Sequence, residues 1–384
     1  MNAKNEKKAT TCCGSSAPAV TADLPPCCSS VQKDRGNWQP DIKGKYITGW
    51  IDTKIGQIPQ VPTTLSRSDK WGNLKVRLAI KRMKYKVEPG LYAVGNPDSE
   101  SMVLVTANYK LSFDTLRKEL TGMDAWILVL DTKGINVWCA AGKGTFGTDE
   151  LVHRIEVTGL KEIVTHRRLI VPQLGATGVA AHKVKKRSGF SVIYGPVRAA
   201  DIRVFLESGM KVTPEMRRVT FSVYDRLKVI PVEVTTGAGI LLIIMAVFFL
   251  LSGLNRSGYS FQWDVGIASV LNLVMAYVAG TILGPLLLPW LPGRSFSLKG
   301  AEIGIIAFIV SYFSNLAGTH IVQIAAWLLL IGALSSFLTM NFTGASTYTS
   351  LSGVKKEMRA AVPLQIVAAV IGIGLWITGR FIGA

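Results

Sequence analysis

The stretch GINVWCAAGKGTFGTDEL, Gly134 to Leu151, places a single cysteine, Cys139, between an indole and a run of alanines and glycines. No other Cys and no His stands within four residues of it. A closed zinc site would have to recruit every other donor from distant segments, since such sites take four protein ligands. A lone thiol in this setting is a ligand to a preformed cofactor, a nucleophile, or a packing residue. As a packing residue it would behave as a small hydrophobe.

The glycines that follow, Gly142, Gly144 and Gly147, match G-x-G-x-x-G. A dinucleotide loop needs that pattern between a strand and a helix, whereas here Trp138, Cys139, Ala140 and Ala141 precede it. A phosphate loop of the G-x-x-x-x-G-K type is excluded because Lys143 precedes Gly144. His153, His166, His182 and His320 are scattered singly and read as surface or packing residues.

Around this stretch, four apolar runs, MVLVTAN, AWILVLD, RLIVPQ and FSVIYGP, alternate with amphipathic segments of helical spacing. That alternation predicts an α/β, Rossmann-like domain: a mostly parallel sheet with helices on both faces. Such sheets bind ligands beyond the carboxyl ends of their strands. The rule gathers four loops, 106–110, 131–147, 172–178 and 194–201, into one candidate site. Within them Thr106, Asn108, Gln173, Gly175, Tyr194 and Gly195 are candidate ligand contacts. Glycines in VPQLGATGV and YGPVRAADI are either ordinary turn residues or places where backbone approaches a large flat ligand. Residues 41–97 read as a substructure packed before the main sheet, with no chemistry assigned.

Hydropathy divides the 384-residue chain near Thr236. Residues 40–230 form the predicted soluble domain. Residues 236–384 form an all-α membrane domain of five transmembrane helices, at about 236–254, 265–286, 301–313, 320–340 and 362–379, against the ~20 apolar residues a crossing needs. The polar N-terminus carries no signal-peptide core, so the soluble domain is expected in the cytoplasm, below the inner membrane. Arg217, Arg218, Arg226 and Lys228 precede the first span, Arg294 and Lys299 follow the second, and Lys355, Lys356 and Arg359 follow the fourth. The alternate loops hold only Arg256. This asymmetry places the C-terminus outside.

The formal charge is +18. A cationic surface beside anionic lipid headgroups accounts for it, and no aromatic-interleaved motif for nucleic acid is present. Residues 1–39 read as a disordered tail rich in Ser, Ala, Thr and Pro. Its adjacent thiols, Cys12 with Cys13 and Cys27 with Cys28, are either candidates for soft-cation capture, Hg(II) included, or free thiols without an essential role.

NVWCAAGK, Asn136 to Lys143, resembles the signature cap helix of the mercury-methylating corrinoid family, HgcA, and the resemblance extends over the chain after about Asn37. The soluble domain is also similar to the corrinoid-binding domain of the corrinoid iron-sulfur protein of the acetyl-CoA pathway, whose large subunit lacks this cysteine. The resemblance implies a corrinoid cofactor (cobalamin or related) with Cys139 as the lower axial ligand of cobalt. It also implies that Asn136, Val137, Trp138, Ala140, Ala141, Gly142 and Lys143 shape the face beneath the ring. No D-x-H-x-x-G motif offers an imidazole instead.

The activity so implied is methyl transfer from thiolate-ligated methyl-cobalt to Hg(II). A thiolate is a strong donor, and the axial ligand is the protein's lever on such a metal. Collecting a methyl cation equivalent, from methyl-tetrahydrofolate or its methyltransferase, and delivering a carbanion equivalent consumes two electrons per turnover. This chain has no Cys spacing for an iron-sulfur cluster, and the family's reductant is a ferredoxin-like partner with two 4Fe–4S clusters, HgcB. Two other readings stay open: a membrane corrinoid protein of one-carbon metabolism with a different acceptor, and a non-enzymatic soft-metal-binding membrane protein.

Overall fold

The computed structural model describes residues 46–344 and 351–382. The tail cysteines Cys12, Cys13, Cys27 and Cys28 lie outside the described residues.

The soluble part runs β1 (Gly49–Thr53), β2 (Gly56–Gln60), α1 (Arg67–Arg77), β3 (Gly90–Val94), β4 (Val103–Ala107), α2 (Lys110–Glu119), β5 (Ala125–Leu130), α3 (Val137–Lys143), α4 (Thr148–Val157), α5 (Leu160–Ile163), β6 (Arg168–Val171), α6 (Ala181–Ser188), β7 (Ser191–Tyr194), α7 (Ile202–Glu207) and α8 (Pro214–Arg217). The seven strands form one sheet in the order β1-β2-β3-β5-β4-β6-β7. Pairing is parallel for β2–β3, β5–β4, β4–β6 and β6–β7, and antiparallel for β1–β2 and β3–β5.

Strands β3, β4 and β5 are buried at every position. That is why they appear in sequence as continuous apolar runs. Alternate residues serve two cores, as the two-residue period of a strand requires. Leu91, Val105, Leu128 and Val171 meet Val137, Ala140, Leu151, Ile155 and Val184 on one face. Tyr92, Leu104, Ile127 and Ile170 meet Phe113, Leu116, Ile202 and Phe205 on the other. Helices therefore cover both faces of the sheet.

One expectation is corrected. The described residues of the segment 41–97, from 46 on, are not a substructure packed before the main sheet, because β1, β2 and β3 complete the same sheet and β3 pairs along its whole length with β5. The segment's second contribution is ionic. Asp69 of α1 accepts from Lys110 Nζ (2.6 Å) and Arg117 Nη2 (2.9 Å), and both bases also bind Asp114, all within the protein interior. Burial would raise the Asp69 carboxyl, but hydrogen bonds from Lys110 and Ser66 outweigh it and hold the group well below the usual carboxylate range.

The C-terminal part contains α9 (Val223–Leu251), α10 (Trp263–Val278), α11 (Gly284–Leu287), α12 (Phe296–Phe313), α13 (Ile321–Asn341) and α14 (Leu351–Ile382). Five helical stretches, with α10 and α11 counted as one, are long and apolar enough to cross a membrane. All but α13, which starts at Ile321, begin earlier than hydropathy places them: α9 starts thirteen residues before Thr236 because Ser222 and Asp225 form a reciprocal capping box. Likewise α12 starts at Phe296, capped by Ser295. Charged and small residues in these first turns hide the helix from a hydropathy window without breaking it.

Between α10 and α11 lies a π-helical turn, Ala279–Leu283. Thr339 Oγ1 donates to the Gly280 carbonyl (3.0 Å) and Ser335 Oγ to that of Ala276 (3.0 Å). Neighbouring helices thus satisfy backbone groups around the irregular turn, as an apolar surrounding demands. At one end of the bundle, Arg226 lies over the Trp290 ring, Phe221 stacks on Phe342, and Glu357 accepts from the Ser297 amide. The start of α9 and the loops that carry the cationic residues therefore share one end.

Candidate functional site

Helix α3 is seven residues long and is built from its cap inward. Asn136 adopts the extended N-cap conformation and its Oδ1 accepts from the Cys139 amide at 2.9 Å. Gly144, with φ +82°, closes the other end in the left-handed conformation that glycine adopts without strain. Val137, Ala140 and Ala141 are buried against the sheet, while Trp138, Cys139, Gly142 and Lys143 face outward. The thiol of Cys139 is free and exposed. A Cβ placed on Gly142 would have no heavy atom within 4 Å. The exposed face thus carries one soft donor, Cys139, with the Trp138 indole and the Lys143 side chain beside it and open space over Gly142.

The glycine run takes its place here. Gly144 ends α3 and Gly147 caps α4, so these glycines join two helices. The strand-to-helix frame of a dinucleotide loop is not formed.

The loop before α3 is held by Asn108, which is fully buried. Its Oδ1 accepts from the Thr132 amide, the Thr132 hydroxyl and the Gly134 amide at 2.9–3.1 Å, and its Nδ2 donates to Asp131. Asn108 therefore positions the approach to the cap helix from inside the protein. Gly175 and Gly178 act on the helix from its other side. A Cβ on Gly175 would enter the Phe146 ring, and one on Gly178 would strike the Phe146 carbonyl and crowd Ala141. Their bareness serves the close seating of α3 and its following turn on the loop after β6. Tyr194 donates to the Val179 carbonyl at 2.5 Å, and the Gln173 amide donates to Pro196.

Beside α3, at the carboxyl edge of the sheet, opens a cavity of about 440 Å³. It has the size of a small-ligand site. Thr106, Asn136, Val137, Trp138 and Gly195 line it, so the structure brings together five of the residues singled out in sequence. Asn108, Gln173, Gly175 and Tyr194 are not among its lining residues, nor are Cys139 to Lys143, which lie on or behind the cap helix. The wall also contains Arg77, Arg82, Tyr109, Ser112 and Lys228, which sequence reading did not find. Burial raises the Tyr109 phenol above its ordinary range, and the charges of Arg82 and Arg77 pull it partly back. Among the described residues, no group of three or more His, Cys, Asp or Glu side chains is placed to hold a metal ion. Cys139 is the free thiol among the described residues.

Residues 78–206 match the family model described as CO dehydrogenase/acetyl-CoA synthase delta subunit. The matched segment contains β3 to β7, the four strand-end loops and Cys139. Among individual proteins, the chain is similar to the acetyl-CoA decarbonylase/synthase complex subunit gamma of Archaeoglobus fulgidus, 34% identical over 176 residues, 44% of this chain and 36% of the relative. The subunits of that name from Methanopyrus kandleri and Methanocaldococcus jannaschii are 34% and 33% identical over 33% of this chain, covering 27% and 26% of their own lengths. The chain thus spans about a quarter to a third of these relatives. The family description names a delta subunit and the relatives a gamma subunit, so the shared element is the kind of complex rather than one subunit of it.

Proposed function

We propose that this protein is a membrane-attached corrinoid protein of one-carbon methyl transfer, in which the Cys139 thiolate would hold the cobalt and Hg(II) is the methyl acceptor. The observation that carries the reading is the free thiol standing on the exposed outer face of α3, at the sheet edge where ligands of α/β folds bind. When bound, the corrinoid supplies a metal that can both accept and release a methyl group. The protein's part is to orient the thiol. Asn136 caps the turn that carries Cys139, Asn108 fixes the loop leading to it, and Gly175 and Gly178 let the next loop press against its back. Ala140 and Ala141 seat the helix on the core, and Gly142 leaves room beside the sulfur.

A ferredoxin-like partner with two 4Fe–4S clusters would supply the two electrons of each cycle, and a methyl-folate or its methyltransferase the methyl group. The soluble domain would face the cytoplasm from the inner membrane, given the cationic loops gathered at its end of the bundle, and the C-terminus would lie outside.

A second reading is favoured by the similarity to acetyl-CoA decarbonylase/synthase subunits: the same cofactor geometry, with a carbon-metabolism acceptor in place of Hg(II). Two measurements on the full chain, purified without oxygen, separate the readings. Bound corrinoid should be present, with a sulfur-to-cobalt absorption that disappears in Cys139→Ala. With the iron-sulfur partner and a methyl donor, Hg(II) should yield methylmercury, and Cys139→Ala and Cys139→Thr should not. Corrinoid with no methylmercury would favour the second reading; Cys139→Ala with unchanged absorption and product would sink the thiolate assignment.

A further inference from the structure

Helix α1 and the turn after it carry apolar side chains on their outer side. Along α1 the inward positions are Asp69, held in the buried ion cluster, and Val76. Trp71 and Leu74 stand opposite them at helical spacing, and both are exposed. The chain then turns sharply through Ala79 and Lys81, both in the left-handed conformation, and leaves Ile80 and Met83 uncovered as well. Trp71 and Met83 are 62% and 61% exposed, whereas a helix on the surface of a soluble domain presents polar residues there. Residues 67–84 hold seven basic side chains and one acid, and that acid, Asp69, is already paired inside with Lys110 and Arg117. Among the described residues, none of Lys70, Lys75, Lys81 and Lys84 has a carboxylate oxygen within 4 Å. Apolar tips fringed by unpaired lysines are the pattern of a segment that lies in a membrane interface.

The position of the segment agrees with that pattern. Val76, Arg77 and Arg82 share a cavity wall with Lys228, Val229 and Val232 of α9, the first of the helices able to cross a membrane. The turn is therefore beside the stretch in which α9 passes from water into the apolar layer. The same end of the bundle carries other interface marks. Exposed Tyr224 has the Lys228 amine 3.8 Å from its ring centre, and exposed Trp290 has the Arg226 guanidinium 5.5 Å from its own. Aromatic rings and basic residues at span ends sit at the level of the headgroups.

We propose that Trp71, Leu74, Ile80 and Met83, with the four lysines around them, form a second membrane attachment that docks the soluble domain on anionic lipid. The apolar side chains enter the headgroup layer and the lysines meet lipid phosphates, each adding attraction to a negative surface. This surface goes beyond the corrinoid reading and needs no cofactor. Its effect is mechanical. A domain joined to a bilayer by α9 alone can swing and rotate about that helix, whereas a second contact beside α9 fixes its tilt. The turn also backs onto the loop that leads to α3, where a Cβ on Gly134 would come within 3.1 Å of the Met83 carbonyl. Lipid held at Met83 thus steadies the approach to the cap helix from below.

The test uses the full chain in nanodiscs of phosphatidylcholine, either alone or mixed with phosphatidylglycerol. Dansylalanine, whose emission reports polarity, takes the place of Met83 in one protein. In a control it takes the place of Val157, exposed at the end of α4 on the other face of the sheet. Every side chain replaced is exposed, so melting temperatures should match the parent. In the mixed discs the probe at 83 should emit to the blue of the probe at 157 and lose intensity to lipids that carry a nitroxide near the headgroup. The quadruple variant Lys70→Gln, Lys75→Gln, Lys81→Gln, Lys84→Gln should shift that emission back to the red and remove most of the quenching. High salt should do the same, because it screens exposed charges. A probe at 83 as water-like and as unquenched as the one at 157 in both kinds of disc overturns the proposal and leaves the face to a soluble partner. Quenching that is equal in both lipids and indifferent to the four lysines overturns the assignment to anionic lipid.

Discussion

Helices α2 and α3 begin at the same edge of the sheet, one after β4 and the other after β5, and they are built in opposite ways. Helix α2 turns charge inward: Lys110, Asp114 and Arg117 are buried and join Asp69 in a closed set of ion pairs, with a further bond from Arg117 to the Pro62 carbonyl. Helix α3 turns only Val137, Ala140 and Ala141 inward and leaves its sulfur uncovered. One is fastened by many directional contacts at its side chains. The other is a short shelf fastened at its backbone, by an asparagine cap before it and a glycine after it. Catalytic and ligand-binding atoms must be positioned without being occupied, and this difference is how the two demands are divided between neighbouring helices.

If the contrast is real, damage to α2 should be structural and damage to α3 should be local. The largest expected effect on stability is Arg117→Ala. It leaves Asp69 and Asp114 short of a partner in the interior and should cost about 3–5 kcal/mol, the range for breaking a buried pair. A melting transition of the soluble part, followed by near-UV circular dichroism, that moved by only a degree or two would remove the scaffold role from α2.

Acid acts next, on the same cluster. A carboxyl held below its unfolded value of about 3.9 contributes stability that is complete above that pH and is lost as pH falls from there toward the folded value. Melting temperatures measured from pH 6 down to pH 3 should therefore drop steeply at the low end, and Asp69→Asn should flatten that part of the curve. Equal acid slopes in the variant and the parent would assign the loss to other carboxyls.

Gly178→Ala sharpens the other side of the comparison. The added methyl meets the Phe146 backbone carbonyl, which has no free rotation to escape, so the loop after β6 or α3 must shift. Overpacking of that kind should cost about 1–3 kcal/mol, and corrinoid affinity should fall with it if α3 is what moves. Asn136→Ala removes a cap and should cost about 1 kcal/mol. Smallest of all, Cys139→Ala should leave stability within about 0.5 kcal/mol, the scale of surface changes that break no special feature. A large loss of stability there would mean that the thiol is a packing residue after all.

Much of the fold is legible in the sequence, and the reason is visible in the structure. Strands β4 to β6 can be read because strands enclosed between two helical layers collect apolar residues at nearly every position, and β7, a half-buried edge strand, is read from its own short apolar run. The short β3, GLYAV, is just as buried but follows a basic stretch. Nothing local says that it inserts antiparallel beside β5. Within the site, Thr106 and Gly195 follow from the rule about strand ends. Asn136, Val137 and Trp138 come from a resemblance, since seven residues are too few to show helical periodicity. Arg77, Arg82 and Lys228 stay hidden because they come from two segments far apart in the chain, and in sequence they look like members of a general cationic excess. Lys228 in particular has the local signature of a residue that merely flanks a span.

Helix α9 also sets an altitude. It has 29 residues, and a bilayer takes up about 20 of them, so about nine, ~14 Å at 1.5 Å per residue, stand on the water side. Those are the turns that hold Lys228 and Val229 in the cavity wall, with Val232 next after them. With α9 seated in a bilayer, the mouth of the site is kept at roughly the height of the lipid headgroups. A partner that is itself bound to the membrane then finds it by diffusion in a plane, while one free in solution must be short enough in reach, or cationic enough at its tip, to work at an anionic surface.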